Sequence, residues 1–236
     1  MIDIHAHVLP GIDDGARNFD DSLDMIRGLS SCGVTDVIAT PHYVNESIYV
    51  SSRSENMKLA QELNKLLNEA EIPVNVYLGN EIYIDPDILR LLKANKISTM
   101  AGSKHLLVEL PLNDEYPNYL DYLQELLEQG YNIVLAHPER YSIVQDDYGV
   151  IGDLIEMGVL LQCNLGSITG KYGKEAKKVI RRIIKDKLVF AFGSDLHRPG
   201  REEELQLAMK KLAKYYNPRE LEQVLVSNPK RLLGLA

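Results

Sequence analysis

His5 and His7 stand one residue apart in the opening stretch Ile2-Asp3-Ile4-His5-Ala6-His7. Alternate side chains of an extended segment face the same way, so both imidazoles can reach one ion. Asp195-Leu196-His197 repeats that spacing near the other end of the chain. Between the two come Asp13-Asp14-Gly15, Thr40-Pro41-His42, Gly79-Asn80-Glu81, Glu109, His137-Pro138-Glu139-Arg140 and Asn164. Each ends or follows a short apolar run. A single His or Asp in such a place is usually a cap or a satisfied polar group. Here nine candidate metal ligands share it: His5, His7, Asp14, His42, Glu81, Glu109, His137, Asp195 and His197. An all-structural reading does not account for that repetition.

Imidazole and carboxylate without thiolate suit Mn, Fe or Zn. A lone Mg²⁺ site seldom recruits five imidazoles. Two arginines follow the ligands, Arg140 after His137 and Arg201 after His197. A guanidinium can clamp phosphoryl oxygens in a bidentate way and offset transition-state charge, so both are candidate catalytic residues. Arg198 competes with Arg201 for that role, although its place beside His197 suits a surface residue of the loop. Thiol-based phosphatase chemistry finds no support. The sixth residues after Cys32 and Cys163 are Ile38 and Thr169 rather than arginine, so both cysteines read as packing residues.

These groups need a scaffold that brings strand ends together. Seven apolar runs read as strands: Ile2–His5, Asp36–Ala39, Val74–Leu78, Leu106–Leu110, Ile133–Ala136, Val159–Cys163 and Leu188–Phe192. Near-continuous Val, Ile and Leu is what a parallel sheet buried on both faces requires. Helical spacing fills the intervals, at Asp20–Ser31, Glu55–Glu69, Tyr119–Gln129, Val150–Met157, Glu175–Lys185 and Glu202–Tyr215. A last pair lies near Pro218–Ser227 and Asn228–Leu233. Gly33, Gly130 and Gly158 suit left-handed helix stops, and Pro218 and Pro229 suit first turns. Alternating β and α gives an α/β fold, a doubly wound sheet or a barrel. No Gly-rich nucleotide fingerprint follows the first strand. In β/α barrels the chemistry sits at the C-terminal ends of the strands, where five of the six histidines fall. His105 precedes strand four and belongs to the opposite end.

The chain has 236 residues, 45% hydrophobic content and a formal net charge of −8. It reads as one domain over 1–236. The acidic balance argues against nucleic-acid binding through a broad basic face. A phosphate substrate stays compatible. Four candidate carboxylates against three divalent ions would leave about two positive charges in the pocket. No leader pattern and no apolar run of spanning length is present, and two cysteines make no disulfide framework. The expectation is a cytoplasmic protein without membrane insertion. Self-association through exterior helices is compatible with the pattern.

Together the motifs resemble the PHP (polymerase and histidinol phosphatase) superfamily, and within it the bacterial CpsB/YwqE-type tyrosine phosphatases. The carriers are MIDIHAHVLPGIDDGARN, IATPHY, GNEIYI, LLVELP, IVLAHPERY, LQCNLGSITGKYG and GSDLHRPGR, in family order over nearly the whole chain. The stretch between His197 and Arg201 is one residue shorter than the family's pattern. The resemblance implies a distorted (β/α)7 barrel with its metal site at the C-terminal ends of the strands. It implies three divalent ions, Mn²⁺ foremost, with Fe or Zn compatible. His5, His7, Glu81 and Asp195 would hold the first. Glu81 would bridge to a second, shared with Glu109 and His137. Asp14, His42 and His197 would hold the third. Arg140 and Arg201 match the family's phosphate-binding arginines. The implied reaction is hydrolysis of protein phosphotyrosine by water activated at the metals. The implied substrate is a bacterial tyrosine autokinase of capsular or exopolysaccharide export. Loops Asn45–Arg53 and Asn113–Tyr119 could meet its tail, ordinary rim packing being the alternative for their tyrosines. Two other readings stand beside this one: a small-molecule phosphatase such as histidinol-phosphate phosphatase, and a protein that binds phosphorylated partners without turnover.

Overall fold

The computed structural model describes residues 1–113 and 118–234. Its strands are β1 (Ile2–Ala6), β2 (Asp36–Ala39), β3 (His42–Tyr43), β4 (Asn75–Leu78), β5 (Glu81–Tyr83), β6 (His105–Glu109), β7 (Asn132–Ala136), β8 (Leu160–Asn164) and β9 (Val189–Gly193). All their pairings are parallel. They form two ladders, β1-β2-β4 and β3-β5-β6-β7-β8-β9.

The two ladders are parts of one ring. The chain runs on from β2 through Thr40–Pro41 into β3 and from β4 through Gly79–Asn80 into β5, so each pair makes one stave of the ring, and the expected strands Asp36–Ala39 and Val74–Leu78 cover only the first part of each. Proline has no N–H to give to a ladder, so regular pairing stops at Pro41. Three backbone bonds carry the register across the break: Thr40 N to Ala6 O at 2.9 Å, Gly79 N to Ala39 O at 2.8 Å and Glu81 N to Pro41 O at 3.1 Å. The ring closes between the ends of β9 and β1, where Asp195 N donates to His5 O at 2.8 Å and His7 N to Leu196 O at 2.9 Å. The result is the expected distorted seven-stranded barrel. The distortion lies between β4 and β6, where a short 3-10 turn, Met100–Gly102, packs against both strands.

Helices α1 (Phe19–Ser31), α2 (Arg53–Glu69), α3 (Ile88–Lys93), α4 (Tyr119–Glu128), α5 (Ser142–Asp146), α6 (Gly149–Glu156), α7 (Leu165–Thr169), α8 (Gly173–Lys185), α9 (Glu202–Leu212), α10 (Pro218–Glu222) and α11 (Asn228–Leu232) follow in chain order. The long ones agree with the sequence reading to within a few residues. Helix α9 stops short of the expected Tyr215. Asn217 and Glu220 form a capping box that starts α10, with Pro218 in its first turn, so the chain must leave the α9 axis beforehand. Helices α3, α5 and α7 have no counterpart in the sequence reading, because five or six residues are too few to show a 3.6 period. The loop Asn113–Tyr119 includes residues 114–117, which lie outside the described residues.

The strands bury both faces. Val37, Leu106, Val108, Ile133, Leu135 and Leu161 join the large cluster beneath the helices, with Ile26, Leu29, Leu63 and Leu67. Their neighbours Ile38, Leu107, Val134 and Ala136 face the other way, into a second cluster with Ile4, Ala191, Met100 and Leu232. That inward row extends from Leu107 to Glu109 by the strand period of two. The barrel is therefore filled by apolar side chains below and by the candidate ligands above. His105 begins β6, away from the site, with Nδ1 3.2 Å from Ser103 Oγ. Both cysteines are free thiols, and Cys163 is buried. Among the described residues, no helix is long and apolar enough to cross a membrane.

Tyr141 ties the rims of two strands together. Its hydroxyl donates to Ala136 O at 2.6 Å and accepts from Leu110 N at 3.0 Å, with the ring fully buried. Tyr141→Phe leaves both backbone groups unpaired in a dry place. It should cost about 1–3 kcal/mol, read as a lower urea midpoint with unchanged slope.

Candidate metal centre

All nine candidate ligands converge at the C-terminal rim of the barrel. Glu81 lies at the meeting point. Its Oε2 is 3.1 Å from His5 Nε2, 3.2 Å from His7 Nε2 and 3.2 Å from His42 Nδ1, and its Oε1 is 2.9 Å from His137 Nε2. Asp195 Oδ1 lies 3.6 Å and 3.7 Å from the same Nε2 atoms of His5 and His7. Glu109 reaches the other side, 3.6 Å from His137 Nε2 and 3.9 Å from His42 Nδ1. Asp14 Oδ1 lies 3.5 Å from His42 Nε2 and 3.3 Å from His197 Nε2. His42 thus turns one ring nitrogen to each half of the cluster.

These separations fit a shared cation. Ligand atoms about 2.0–2.2 Å from one ion lie roughly 3.0–3.6 Å from each other. Glu81 Oε2 is fully buried and accepts no hydrogen bond, although three ring nitrogens surround it. A buried carboxylate oxygen in that state lacks a partner, and a cation would supply one. Three imidazoles are also locked in a ligating tautomer. His5 Nδ1 meets Gln162 Oε1 at 2.8 Å, His7 Nδ1 meets Asp13 Oδ2 at 2.7 Å and His197 Nδ1 meets Asp195 O at 3.1 Å. Each partner is an acceptor, so each Nδ1 carries a proton, and once the ring is neutral Nε2 is the atom left to ligate a cation.

Backbone geometry serves the same end. His137 (φ 34°) and Asp195 (φ 51°) are non-glycine residues in the left-handed region, at a cost of about 1–3 kcal/mol each. His137 follows directly on β7 and Asp195 stands two residues past β9, and each turn sets its side chain at the rim. A Cβ at Gly193 would come within 2.7 Å of His5 Cβ, and one at Gly15 within 2.2 Å of His7 O. Only glycine lets these segments pack directly on the two histidines.

Charge is balanced within the cluster. Burial disfavours the imidazolium of His5, but Glu81 and Asp195 outweigh it and hold its pKa at about 9. Burial opposes charge on His7 as well, yet the carboxylates of Asp13 and Glu81 hold it well above the usual histidine value. Glu81 and Asp195 are depressed against the pull of burial, chiefly by the facing His5. Glu109 is pushed well up by burial and by the like charge of Glu81. Burial lowers His42. Without metal, protons therefore do the work of cations here.

Asp195 divides its two oxygens. Oδ1 faces the imidazoles, while Oδ2 accepts from Arg140 Nη1 at 2.9 Å, Asn164 Nδ2 at 2.7 Å and Tyr172 OH at 3.3 Å. The Arg140 guanidinium lies over the Tyr172 ring, 4.4 Å from its centroid. Beside the cluster opens a cleft of about 250 Å³, lined by Arg140, Lys171, Tyr172, His197, Arg198 and Arg201 among others. Arg201 stands half-exposed on its rim, 3.8 Å from Glu204. Arg198 is tied down, donating to the carbonyls of Asp14, Gly15 and His197.

Sequence reasoning missed three members of this site. Asp13, beside the candidate ligand Asp14, holds His7 and also accepts from Gly15 N at 2.8 Å and His42 N at 3.1 Å. Gln162 lies within the strand Val159–Cys163, and a lone amide inside an apolar run is its only signal in the sequence. Tyr172 lay inside a quoted motif with no role.

Two outcomes follow from this geometry. His5 and His7 must give up protons for a cation to bind, and their pKa values lie above 6.5. Divalent-metal affinity should therefore rise as pH climbs from 6.5 towards 9, with proton release seen by calorimetry in buffers of different ionisation enthalpy. Asp13→Asn should weaken Mn²⁺ binding about 10- to 100-fold at constant fold, because it frees the His7 ring.

Comparison with known proteins gives the chain's family. The family described as capsular polysaccharide synthesis, CpsB/CapC, matches residues 1–234. The tyrosine-protein phosphatase YwqE of Bacillus subtilis (strain 168) is 34% identical over 235 residues, covering 99% of this chain and 91% of its own length. A putative tyrosine-protein phosphatase CapC of Staphylococcus aureus is 34% identical over 233 residues, covering 95% and 88%. A solved structure from work on the metal-dependent tyrosine phosphatases YwqE of Bacillus subtilis and CpsB of Streptococcus pneumoniae superposes with TM-score 0.87 at 30% identity, covering 100% of this chain and 95% of the other. A β-aspartyl dipeptidase of Fervidobacterium islandicum AW-1, 16% identical with TM-score 0.61, shares the fold alone. The chain belongs to the CpsB/CapC family.

Proposed function

We propose that this chain is a metal-dependent protein-tyrosine phosphatase, acting as a single catalytic domain over 1–236. The observation that carries the reading is the buried Glu81 carboxylate, with its unpartnered Oε2 facing three imidazole nitrogens beside an arginine-lined cleft. Three divalent ions, Mn²⁺ foremost, suit the donor set. His5, His7, Glu81 and Asp195 would hold one, Glu81 with Glu109 and His137 a second, and Asp14, His42 and His197 a third. Such ions supply Lewis acidity for phosphoryl oxygens and make water a nucleophile at neutral pH.

The chain's own residues do the positioning. Arg140 is fixed from two sides, by its bond to Asp195 Oδ2 and by the Tyr172 ring beneath it. Its other donors suit equatorial phosphoryl oxygens, where charge grows in the transition state. Arg201 closes the phosphate site from the rim after giving up its weak pair with Glu204. Phenolate is a fair leaving group, so no strong general acid is required. Neither cysteine suits nucleophilic work, since burial pushes the thiols of Cys163 and Cys32 up. The substrate is a phosphotyrosine protein. Membership of a capsular polysaccharide synthesis family supports a bacterial tyrosine autokinase of polysaccharide export as that protein, with the cytoplasm as the place of action.

The test is phosphate release from a phosphotyrosine peptide by metal-stripped protein, with and without Mn²⁺, and with His5→Ala alongside. Release should need Mn²⁺ and fall at least about 100-fold in His5→Ala. Release indifferent to both would overturn the metal mechanism. Histidinol phosphate turned over far better than the peptide would move the substrate to a small molecule. Tight peptide binding without release would leave a binding protein.

A further inference from the structure

Exposure grades the cluster from inside to outside. His5, His7, Glu81, His137 and Asp195 are buried, whereas the side chains of Asp14 and His197 are 48% and 28% exposed, followed by His42 at 16% and Glu109 at 13%. Solvent reaches the cluster chiefly from the side of Asp14, His197 and His42. This side adjoins the arginine-lined cleft at His197, so the part of a substrate outside the phosphoryl site can lie along it. An aromatic ring stands at that edge. Tyr49 lies over His42 with ring centroids 5.7 Å apart and planes inclined by 28°. Two other tyrosines near the site are committed elsewhere. Tyr172 carries Arg140 on its face and donates to Asp195, and Tyr141 is buried with its hydroxyl on Ala136 and Leu110.

The segment that presents Tyr49 is a tied turn. Ser47 Oγ donates to Val44 O at 2.7 Å and accepts from Tyr49 N at 3.0 Å, while Val44 N donates to Tyr49 O at 2.9 Å. Next to the ring, Ile48 is 86% exposed. The turn therefore sets an aromatic face and an apolar neighbour at the mouth of a cluster that is otherwise charged.

We propose that Tyr49 is a specificity-determining residue, the wall against which the aryl ring of a phosphate monoester stacks. This rests on the phosphatase reading above. A phosphoryl group at the cluster beside His42 places a ring attached through one ester oxygen within reach of Tyr49. Offset or tilted ring pairs are favourable at centroid separations of about 4.5–7 Å, and one such pair changes binding by roughly three- to ten-fold. An alkyl phosphate has no ring to offer and gains nothing there.

Two unreactive analogues, phenylphosphonate and methylphosphonate, separate the ring contact from leaving-group chemistry. Their inhibition constants are measured against Mn²⁺-dependent turnover of a phosphotyrosine peptide. Tyr49→Leu should raise the constant for phenylphosphonate about three- to ten-fold and leave that for methylphosphonate in place, and Tyr49→Phe should preserve both. Two constants that rise together would mean that Tyr49 only supports His42, and would overturn the inference. So would a phenylphosphonate constant that Tyr49→Leu does not move. Wild-type protein that releases no phosphate overturns the phosphatase reading itself, and this inference with it.

Discussion

One carboxylate sets the terms for the rest of the molecule. Glu81 is buried, ionised and faced by the imidazoles of His5, His7, His42 and His137. A carboxylate in a dry interior is costly unless opposite charge or hydrogen bonds meet it. Those imidazoles come from the end of β1, from β3 and from the end of β7, and Glu81 itself from β5, so the charge is compensated only when these segments share one rim. The backbone bonds of Asp195 N to His5 O and His7 N to Leu196 O make that rim continuous. Closure of the barrel and neutralisation of Glu81 are therefore one event seen at two scales.

The supporting layer explains why the site can be both charged and rigid. Asp13, Gln162, Asn164 and Tyr172 each spend a polar atom on a candidate ligand. They fix tautomers and ring planes without entering the cluster. The strained turns at His137 and Asp195 and the bare faces of Gly15 and Gly193 are affordable because inward apolar residues such as Ile38, Leu107 and Val134 fill the barrel beneath.

The chain carries a net charge of −8, yet Arg140, Lys171, Arg198 and Arg201 line one cleft beside the cluster. A cation-lined cleft with low-dielectric walls draws an anion locally even on an acidic protein. Arg198 serves the loop rather than the cleft, since its guanidinium spans the carbonyls of the Asp14–Gly15 turn and so steadies the segment that carries Asp14.

Much of this was legible in the sequence. Near-continuous Val, Ile and Leu runs exposed the strands, and a parallel barrel gathers strand ends on one face, so His5, His42, Glu81, His137 and Asp195 could be brought together without coordinates. Local rules also marked the helix stops at Gly33, Gly130 and Gly158, which do take positive φ. Other features depend on contacts between residues far apart in the chain. Sequence cannot tell which of Asp13 and Asp14 turns inward, because both follow the same strand and differ only in how the loop folds over His7. It cannot show that Gln162 meets His5 across 157 positions, or that Arg140 lies flat on Tyr172. Nor does it reveal that β2 and β4 are continued past a break by β3 and β5, since two- and three-residue strands carry no period. Composition and spacing determined which groups could bind a metal ion. Only the tertiary structure decided which atom of each group faces the cluster, because orientation is set by partners that the chain brings from elsewhere.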